Sequence, residues 1–168
     1  MLCVMSETVH LLGSLEARDG WAADHCPMAA TLELLGTRSA FLLLREAFYG
    51  ATRFEEFTRR AHISDPAAAA RLGELVAAGL LEREDYREPG QRTRQRYRLT
   101  EKGSEVFPIV VALMRWGGRW IEGHDGVELR HDGCGEPVEA VLRCAAGHPV
   151  AAPAQVALAA RPRRTTAT

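Results

Sequence analysis

Two pairs of potential metal ligands lie in the C-terminal part of the chain. His131 is followed by Cys134, and Cys144 is followed by His148. Each pair would sit on a turn with a short hairpin between them, which is an arrangement that suits tetrahedral zinc. The same residues also fit a ribbon that has lost its metal and folds without it. The sequence leaves zinc binding and metal-free folding as alternatives, and it requires no other cofactor.

Cys26 is a second reactive candidate, because it stands directly before Pro27, a residue favoured at the first position of a helix. A helix N-terminus and the neighbouring His25 would favour the thiolate, the reactive form of cysteine. Oxidation or alkylation there would alter how the helix packs. The alternative is a small buried apolar residue. A disulfide framework is not expected from four scattered cysteines, which are Cys3, Cys26, Cys134 and Cys144.

The basic residues are almost all arginine, since Lys102 is the only lysine. With 21 basic and 22 acidic residues the net charge is −1, which argues against a polycation that binds any nucleic acid. A local patch is still predicted. Alternate residues of a strand point to one side, so arginines two positions apart would face DNA phosphates together. The alternative is that these charges only protect a solvated strand edge from aggregation. The predicted DNA contacts are Arg53, Arg59, Arg60, His62, Ser64, Arg71, Arg92, Arg94 and Arg96.

The elements that position these residues follow from apolar spacing and from glycine, proline and cap residues. An N-terminal arm of residues 1–23 includes a short helix near residues 9–15. Helices are then predicted over residues 27–35, 38–49, 53–60 and 66–78, a hairpin over 81–99, and a long helix over 101–122 that Pro108 kinks or delays. Residues 125–152 form a small hairpin module with a β-like run at 138–142, and residues 153–168 a disordered tail.

This order predicts a mainly α fold of the α+β class, a winged helix-turn-helix domain over residues 24–124. The helix at 66–78 would enter the major groove, and the hairpin would lie beside it. Projection at 100° per residue places its apolar side on the core and leaves an outer face of Ala67, Ala70, Glu74 and Ala77. Base readout would then depend on Ser64 and Arg71, because alanine donates no hydrogen bond.

An ordered set of motifs carries a family resemblance. The motifs are Cys26-Pro27, Leu32-x-x-Leu35-Gly36-x-Arg38, Leu44-Arg45-Glu46, Arg53-Phe54-x-Glu56-Phe57, Arg71-Leu72-x-x-Leu75-x-x-x-Gly79-Leu80, Tyr97-x-Leu99-Thr100-x-x-Gly103 and Trp116-Gly117. Over residues 24–122 the chain resembles the HxlR-type, MarR-like winged-helix transcriptional regulators. The resemblance implies a cytoplasmic homodimer that binds operator DNA, responds to small molecules or reactive species, and uses Cys26 as a sensor. Ser39 departs from the family's usual tryptophan, so that space is either filled differently or empty.

An aromatic pocket is the last candidate site. Trp116 and Trp120 lie one helical turn apart, and a long apolar helix is expected to pair with its mate in a two-fold dimer. A pocket at this seam would combine the two tryptophans with Trp21, Met28 and Phe41, and with Arg45 or Arg115 as the anchor of an anionic or phenolic ligand. The alternative is a plain dimer core, and both can hold.

Together these observations predict a homodimeric DNA-binding transcriptional regulator of the repressor type, modulated by a small aromatic or electrophilic effector or by thiol oxidation. The alternatives are a small-molecule-binding protein or enzyme on the same scaffold that has lost operator binding, and a protein-interaction module that uses the tail. No Ser-His-Asp set or carboxylate pair indicates an enzyme. No run approaches the roughly 20 apolar residues of a membrane helix, and no secretory signal is visible, so a cytoplasmic location without a membrane partner is expected.

Overall fold

Local sequence signals place the first helices of the computed structural model, which describes residues 8–17, 26–87, 90 and 93–160. They are α1 (Pro27–Leu35), α2 (Arg38–Phe48), α3 (Phe54–Ala61) and α4 (Asp65–Ala77). Thr37 begins α2 because its hydroxyl accepts a hydrogen bond from the N–H of Ala40, at 3.2 Å. Pro66 lies in the first turn of α4, where its missing N–H costs nothing. The four predicted helices are confirmed to within a residue or two.

The predicted hairpin is confirmed as β2 (Leu81–Tyr86) paired antiparallel with β3 (Arg94–Leu99). Its register places Glu84 opposite Arg96 and Leu81 opposite Leu99. Since side chains alternate along a strand, Leu81, Tyr97 and Leu99 share the face that packs on the core. The N–H of Tyr97 also donates to the carbonyl of Thr52 at 2.7 Å, which ties the hairpin to the loop between α2 and α3.

The helix predicted over residues 101–122 is divided in two, so the expectation of one continuous helix is wrong and the late start at Pro108 is confirmed. α5 (Glu101–Ser104) is followed by α6 (Phe107–Trp120), with Pro108 in the first turn of α6. A proline removes a backbone donor and clashes with the preceding turn, so it is tolerated only where a helix begins. The Thr100 hydroxyl caps α5 by accepting from the N–H of Gly103, at 3.0 Å.

The hydrophobic core lies between α2, α3, α4 and the inner face of the hairpin. Its largest fully buried side chains are Phe57, Leu43, Leu44, Leu72, Leu75 and Leu81. Phe57 meets the ring of Tyr97 edge-on, with centroids 5.7 Å apart and planes at 86°. α6 joins this core through Val110 and through Phe107, whose ring lies 5.0 Å from that of Phe48 on α2. The core therefore holds α3, α4 and the hairpin in one arrangement.

Residues 27–140 form one compact unit, and the described parts of residues 1–26 and 141–168 form another. The second contains two strand pairs: β1 (His10–Leu11) lies parallel to β6 (Ala157–Leu158), and β4 (Leu142–Arg143) lies antiparallel to β5 (Pro149–Val150). Residues 125–140, expected to belong with a module ending at 152, are instead part of the first unit.

Three expectations for these outer segments are wrong. The N-terminal arm carries a short strand and a 3₁₀ turn at Gly13–Leu15 in place of a helix. Within the β-like run at 138–142, only Leu142 lies in a strand. The tail predicted to be disordered contains a 3₁₀ turn, Pro153–Gln155, and then β6, while residues 161–168 lie outside the described residues. β1 and β6 are far apart in the chain, and local patterns carry no signal for such a pairing. Among the described residues no helix is long and apolar enough to cross a membrane.

Candidate nucleic-acid interface

The turn between α3 and α4 fixes how the second helix leaves the core. His62 ends α3 in the left-handed conformation, with φ of 52°, and its N–H donates to the carbonyl of Thr58. At the other end of α3 the Glu56 carboxylate accepts from the N–H groups of Thr52 and Arg53, at 2.9 and 3.0 Å. These backbone donors, that of Thr52 foremost, hold the pKa of Glu56 below its usual value. Both ends of α3 are thus closed by specific hydrogen bonds.

α4 presents the outer face that its sequence predicts. Ala68, Leu72 and Leu75 are buried against the core. The exposed positions on the opposite side include all four that were projected outward, Ala67, Ala70, Glu74 and Ala77. Such a face can approach bases closely and can contact a thymine methyl group, but its alanines donate no hydrogen bond. Polar readout by α4 is limited to a few side chains.

Those side chains are Ser64, Arg71 and Glu74. Ser64 is exposed at the start of α4 and makes no capping hydrogen bond with its side chain. Arg71 is half-buried and forms an ion pair with Glu74, one turn further along the helix. The sequence predicted Arg71 as a DNA contact but not its pairing with Glu74, although a spacing of three residues on a helix is a signal for such a pair. The pair presents a donor and an acceptor side by side.

The outward face of the hairpin, here called the wing face, carries Arg94, Arg96 and Arg98. Glu84 on the neighbouring strand accepts hydrogen bonds from Nε and Nη2 of Arg96, both at 3.0 Å, and forms an ion pair with Arg98, whose Nε lies 3.0 Å away. The hydrogen bond from Arg96 is the main cause that lowers the pKa of Glu84, and the same bond raises the pKa of Arg96. Arg98 was missed although it continues the same alternation. Arg94 is exposed, and Arg92 lies outside the described residues.

Several of the predicted contacts come together beside α3. Arg53, Arg59 and Arg94 line one concave surface of about 370 Å³, together with Glu55 and Glu56. The guanidinium of Arg53 also lies 5.4 Å from the ring centre of Tyr86, which steadies it as a cation over an aromatic face. Helix α3 and the wing therefore bring arginines to one surface, although acidic residues lie among them.

The two remaining DNA candidates on this side of the domain are Arg60 and His62. Arg60 forms an ion pair with Glu56 at 3.5 Å, and His62 is exposed in the turn. Ser39, where a tryptophan was expected from the resemblance, is half-buried and its hydroxyl lies 3.3 Å from that of Thr37.

The predicted sensor and metal residues are placed as follows. Cys26 is a half-buried free thiol, while His25 lies outside the described residues. The Cys134 sulfur lies 3.3 Å from Nδ1 of His131, and the Cys144 sulfur lies 3.5 Å from Nδ1 of His148. The two pairs belong to different compact units. Within the described ranges no group of three or more His, Cys, Asp or Glu side chains could hold a metal ion, so zinc binding stays a prediction.

Part of the predicted aromatic pocket comes together within one copy of the chain, while a pocket at a dimer seam stays a prediction. Trp116, Trp120 and the predicted anchor Arg115 line one cavity, whereas Met28, Phe41 and Arg45 are not among its lining residues. The Arg45 guanidinium is instead held by the buried carboxylate of Glu46, at 2.9 and 2.6 Å. Met28 is exposed, Phe41 packs against the core, and Trp21 lies outside the described residues. Arg45 is thus engaged by Glu46 and Phe41 packs against the core, and neither contributes to this cavity.

The helix pair, the wing and the caps match a known family. A family model described as HxlR-like helix-turn-helix matches residues 34–125, more than half of the chain. The chain belongs to this family. The match begins in α1 and ends after α6, so it includes both helices of the helix-turn-helix unit and the wing.

Relatives of this HxlR-like chain are named as transcriptional regulators. The HTH-type transcriptional regulator Rv3095 of Mycobacterium tuberculosis is 41% identical over 115 residues, which is 67% of this chain and 72% of that one. The crystal structure of PA1607, a candidate transcription factor, has a TM-score of 0.69 at 33% identity and covers 84% of this chain and 96% of its own. The redox regulator HypR in its oxidised form has a TM-score of 0.51 at 33% identity, covering 56% of this chain and 96% of its own.

These matches establish the winged-helix fold and membership in a family of DNA-binding transcriptional regulators. The residues that form the α3–α4 pair and the wing lie inside the matched range. The HxlR-like chain is therefore a helix-turn-helix protein of the transcription-regulator class, and its polar groups on α4 and its wing arginines are the candidates for DNA contact.

Proposed function

We propose that this chain is a cytoplasmic homodimeric repressor that binds operator DNA with α4 in the major groove and the wing along the phosphate backbone. The observation that carries the proposal is the wing face, where three arginines stand on one side of β3 beside the helix-turn-helix unit. Arginine suits phosphate because its planar guanidinium donates two parallel hydrogen bonds. α4 is narrow enough on its alanine face to enter a groove about 12 Å wide.

A gel shift on the DNA upstream of its own gene, at two salt concentrations, tests this proposal. We expect salt-sensitive retention that depends on sequence. Arg94→Ala should weaken binding to all duplexes similarly and reduce the salt slope by about 1, whereas Arg71→Ala should also relax the sequence preference. Wild-type affinity in both variants would reject the groove arrangement. Absence of retention would favour a small-molecule-binding protein that no longer reads an operator.

The homodimer is supported by an exposed apolar stripe on α6. Ile109, Leu113, Trp116 and Trp120 are spaced by four, three and four residues, so they lie on one side of the helix. Each is at least 43% exposed, and Trp120 is 65% exposed. A stripe of this size is costly to leave in water, and a second copy of the same helix would cover it symmetrically.

Replacing Leu113 with Glu tests the dimer by light scattering. The variant should be monomeric at concentrations where the native chain is a dimer, because a carboxylate would be buried in an apolar seam. Leu113 lies outside the core, so the thermal unfolding midpoint of the monomer provides a check on folding. A native chain that is monomeric at all concentrations would contradict the proposal.

Thiol modulation is supported by the position of Cys26 at the start of α1 and by the similarity to HypR, which is named a redox regulator. The half-buried thiol would be oxidised to a sulfenic acid by hydrogen peroxide, which is reduced to water. Cys26→Ser should bind DNA normally, and peroxide should no longer reduce the fraction of DNA that it retains. Cys144→Ser is the matched control, and an unchanged response in Cys26→Ser would remove this thiol from the mechanism.

A second candidate function is a small-molecule-binding protein that no longer reads an operator. It is favoured by the alanine face of α4 and by the ion pair that engages Arg71 with Glu74. The gel shift separates the two functions, because the second candidate predicts no sequence-dependent retention at either salt concentration.

A further inference from the structure

A cavity of about 390 Å³ lies beside the C-terminal half of α6, between this helix and residues 125–138 of the same compact unit. Its apolar wall includes Met114, Trp116, Trp120, Val127 and Leu129. This volume is within the range of sites that take small organic ligands. The two tryptophan rings offer flat apolar surfaces against which an aromatic ring can stack.

A glycine lets the wall of this cavity come close to the helix. Gly118 faces the segment, and a Cβ placed on it would lie 3.6 Å from the carbonyl oxygen of His124. Arg115 of α6 attaches this segment to the helix. Its guanidinium donates to the carboxylate of Glu139 at 2.8 Å and to the carbonyl of Val138 at 3.3 Å. The cavity is therefore bounded by a helix and by a segment that is attached to it.

The charges of the cavity are partly compensated. Arg115 forms an ion pair with Glu139, and the lining residue Glu128 forms an ion pair with Arg130. Two lining groups are different: within the described residues, neither Arg119 nor Asp125 forms an ion pair. The guanidinium of Arg119 lies over the ring of Trp120, 4.9 Å from its centre. A planar cation on an aromatic surface and a separate carboxylate thus remain to recognise a ligand.

We propose that this cavity is an effector site for a planar aromatic carboxylate that also bears a ring hydroxyl. The ligand carboxylate would accept two hydrogen bonds from the Arg119 guanidinium, and its hydroxyl would donate to Asp125. The aromatic ring would lie against the tryptophan side chains. The inference rests on the proposed regulatory function, because it assigns the place and the chemical class of the effector.

Occupancy of the cavity reaches the proposed dimer seam through shared residues. Trp116 and Trp120 line the cavity and also belong to the exposed stripe of α6. A ligand that contacts these rings stabilises one arrangement of the two side chains. It thereby changes how two copies of α6 pack. Because each copy carries one α4, the spacing of the two DNA-reading helices changes with it.

Isothermal titration calorimetry on the full chain, without DNA, tests the site. The probes are 6-hydroxy-2-naphthoate, 2-naphthol, which lacks the carboxylate, and 2-naphthoate, which lacks the hydroxyl. We expect the first to bind most tightly and each of the others about tenfold more weakly, the effect of losing one charge-assisted hydrogen bond. Equal affinities for all three probes would overturn the ligand class.

Variants locate the binding. Arg119→Gln should weaken 6-hydroxy-2-naphthoate about tenfold and leave 2-naphthol unchanged, while Asp125→Asn should weaken 2-naphthol and leave 2-naphthoate unchanged. Arg38→Gln is the control, because it removes the same charge from an exposed residue at the start of α2. If the Arg38 and Arg119 variants bind 6-hydroxy-2-naphthoate equally, the site is elsewhere and the inference fails.

A gel shift with 6-hydroxy-2-naphthoate tests the effector role separately. Added ligand should change the fraction of retained operator DNA in the native chain but not in Arg119→Gln. Ligand binding without any change in retention overturns the effector assignment. If the chain retains no DNA at all, the regulatory proposal and the effector role fail together, while the calorimetry still decides whether the cavity takes this ligand.

Discussion

Glu84 restrains two arginines of the wing, and removing its charge should strengthen DNA binding. Its carboxylate accepts two hydrogen bonds from Arg96, both at 3.0 Å, and forms an ion pair with Arg98, whose Nε also lies 3.0 Å away. In Glu84→Gln the wing gains one net positive charge and the two guanidinium groups are freed for phosphate. One further phosphate contact steepens the slope of log K against log salt by about 0.9, so two would steepen it by about 1.8.

The matched control is Glu82→Gln, which adds the same charge to the same face. Glu82 stands opposite Arg98 but forms no ion pair among the described residues. Fluorescence anisotropy on a labelled operator at four or five salt concentrations gives both slopes. A slope change in Glu84→Gln at least twice that in Glu82→Gln supports the restraint. Equal slopes would refute it, and weaker DNA binding in Glu84→Gln would show that Glu84 positions the arginines instead of withholding them.

Three further predictions concern stability and are checked by chemical denaturation. Glu56→Ala should lower the free energy of unfolding by about 1 to 2 kcal/mol, because two backbone donors lose their acceptor. The control is Glu55→Ala, an exposed residue of the same turn, which should change the free energy of unfolding by less than about 0.5 kcal/mol. Because the pKa of Glu56 is lowered from 4.5, the stability linked to its charge should be present above about pH 4.5 and be lost as the pH falls through the lowered pKa. A difference between variant and native chain that does not shrink on acidification would contradict this. Gly103→Ala should lower the free energy of unfolding by about 3 kcal/mol, since a Cβ there would lie 2.0 Å from the Leu80 carbonyl oxygen. Gly73→Ala, whose Cβ would meet nothing nearer than Nη2 of Arg83 at 4.0 Å, should raise it by about 1 kcal/mol. Equal effects of the two substitutions would contradict this prediction.

Much of the helical framework could be predicted because its signals act within a few residues. Pro27 and Pro66 each lie at the start of a helix, and the Thr100 hydroxyl reaches only three residues ahead to cap α5. The outer face of α4 followed from its helical period alone. The common side of Arg94 and Arg96 followed from the period of a strand in the same way.

Local sequence signals specify the winged-helix plan, the exposed outer face of α4 and the side of the hairpin that carries arginines. Only the packed chain shows which residues these groups contact: Glu84 pairs with Arg96 across the hairpin, β6 pairs with β1, and residues between 125 and 138 line the cavity beside Trp116. The physical reason is distance along the chain. Caps and periodicity depend on neighbours a few residues away, whereas these contacts join segments that only packing and strand register bring together.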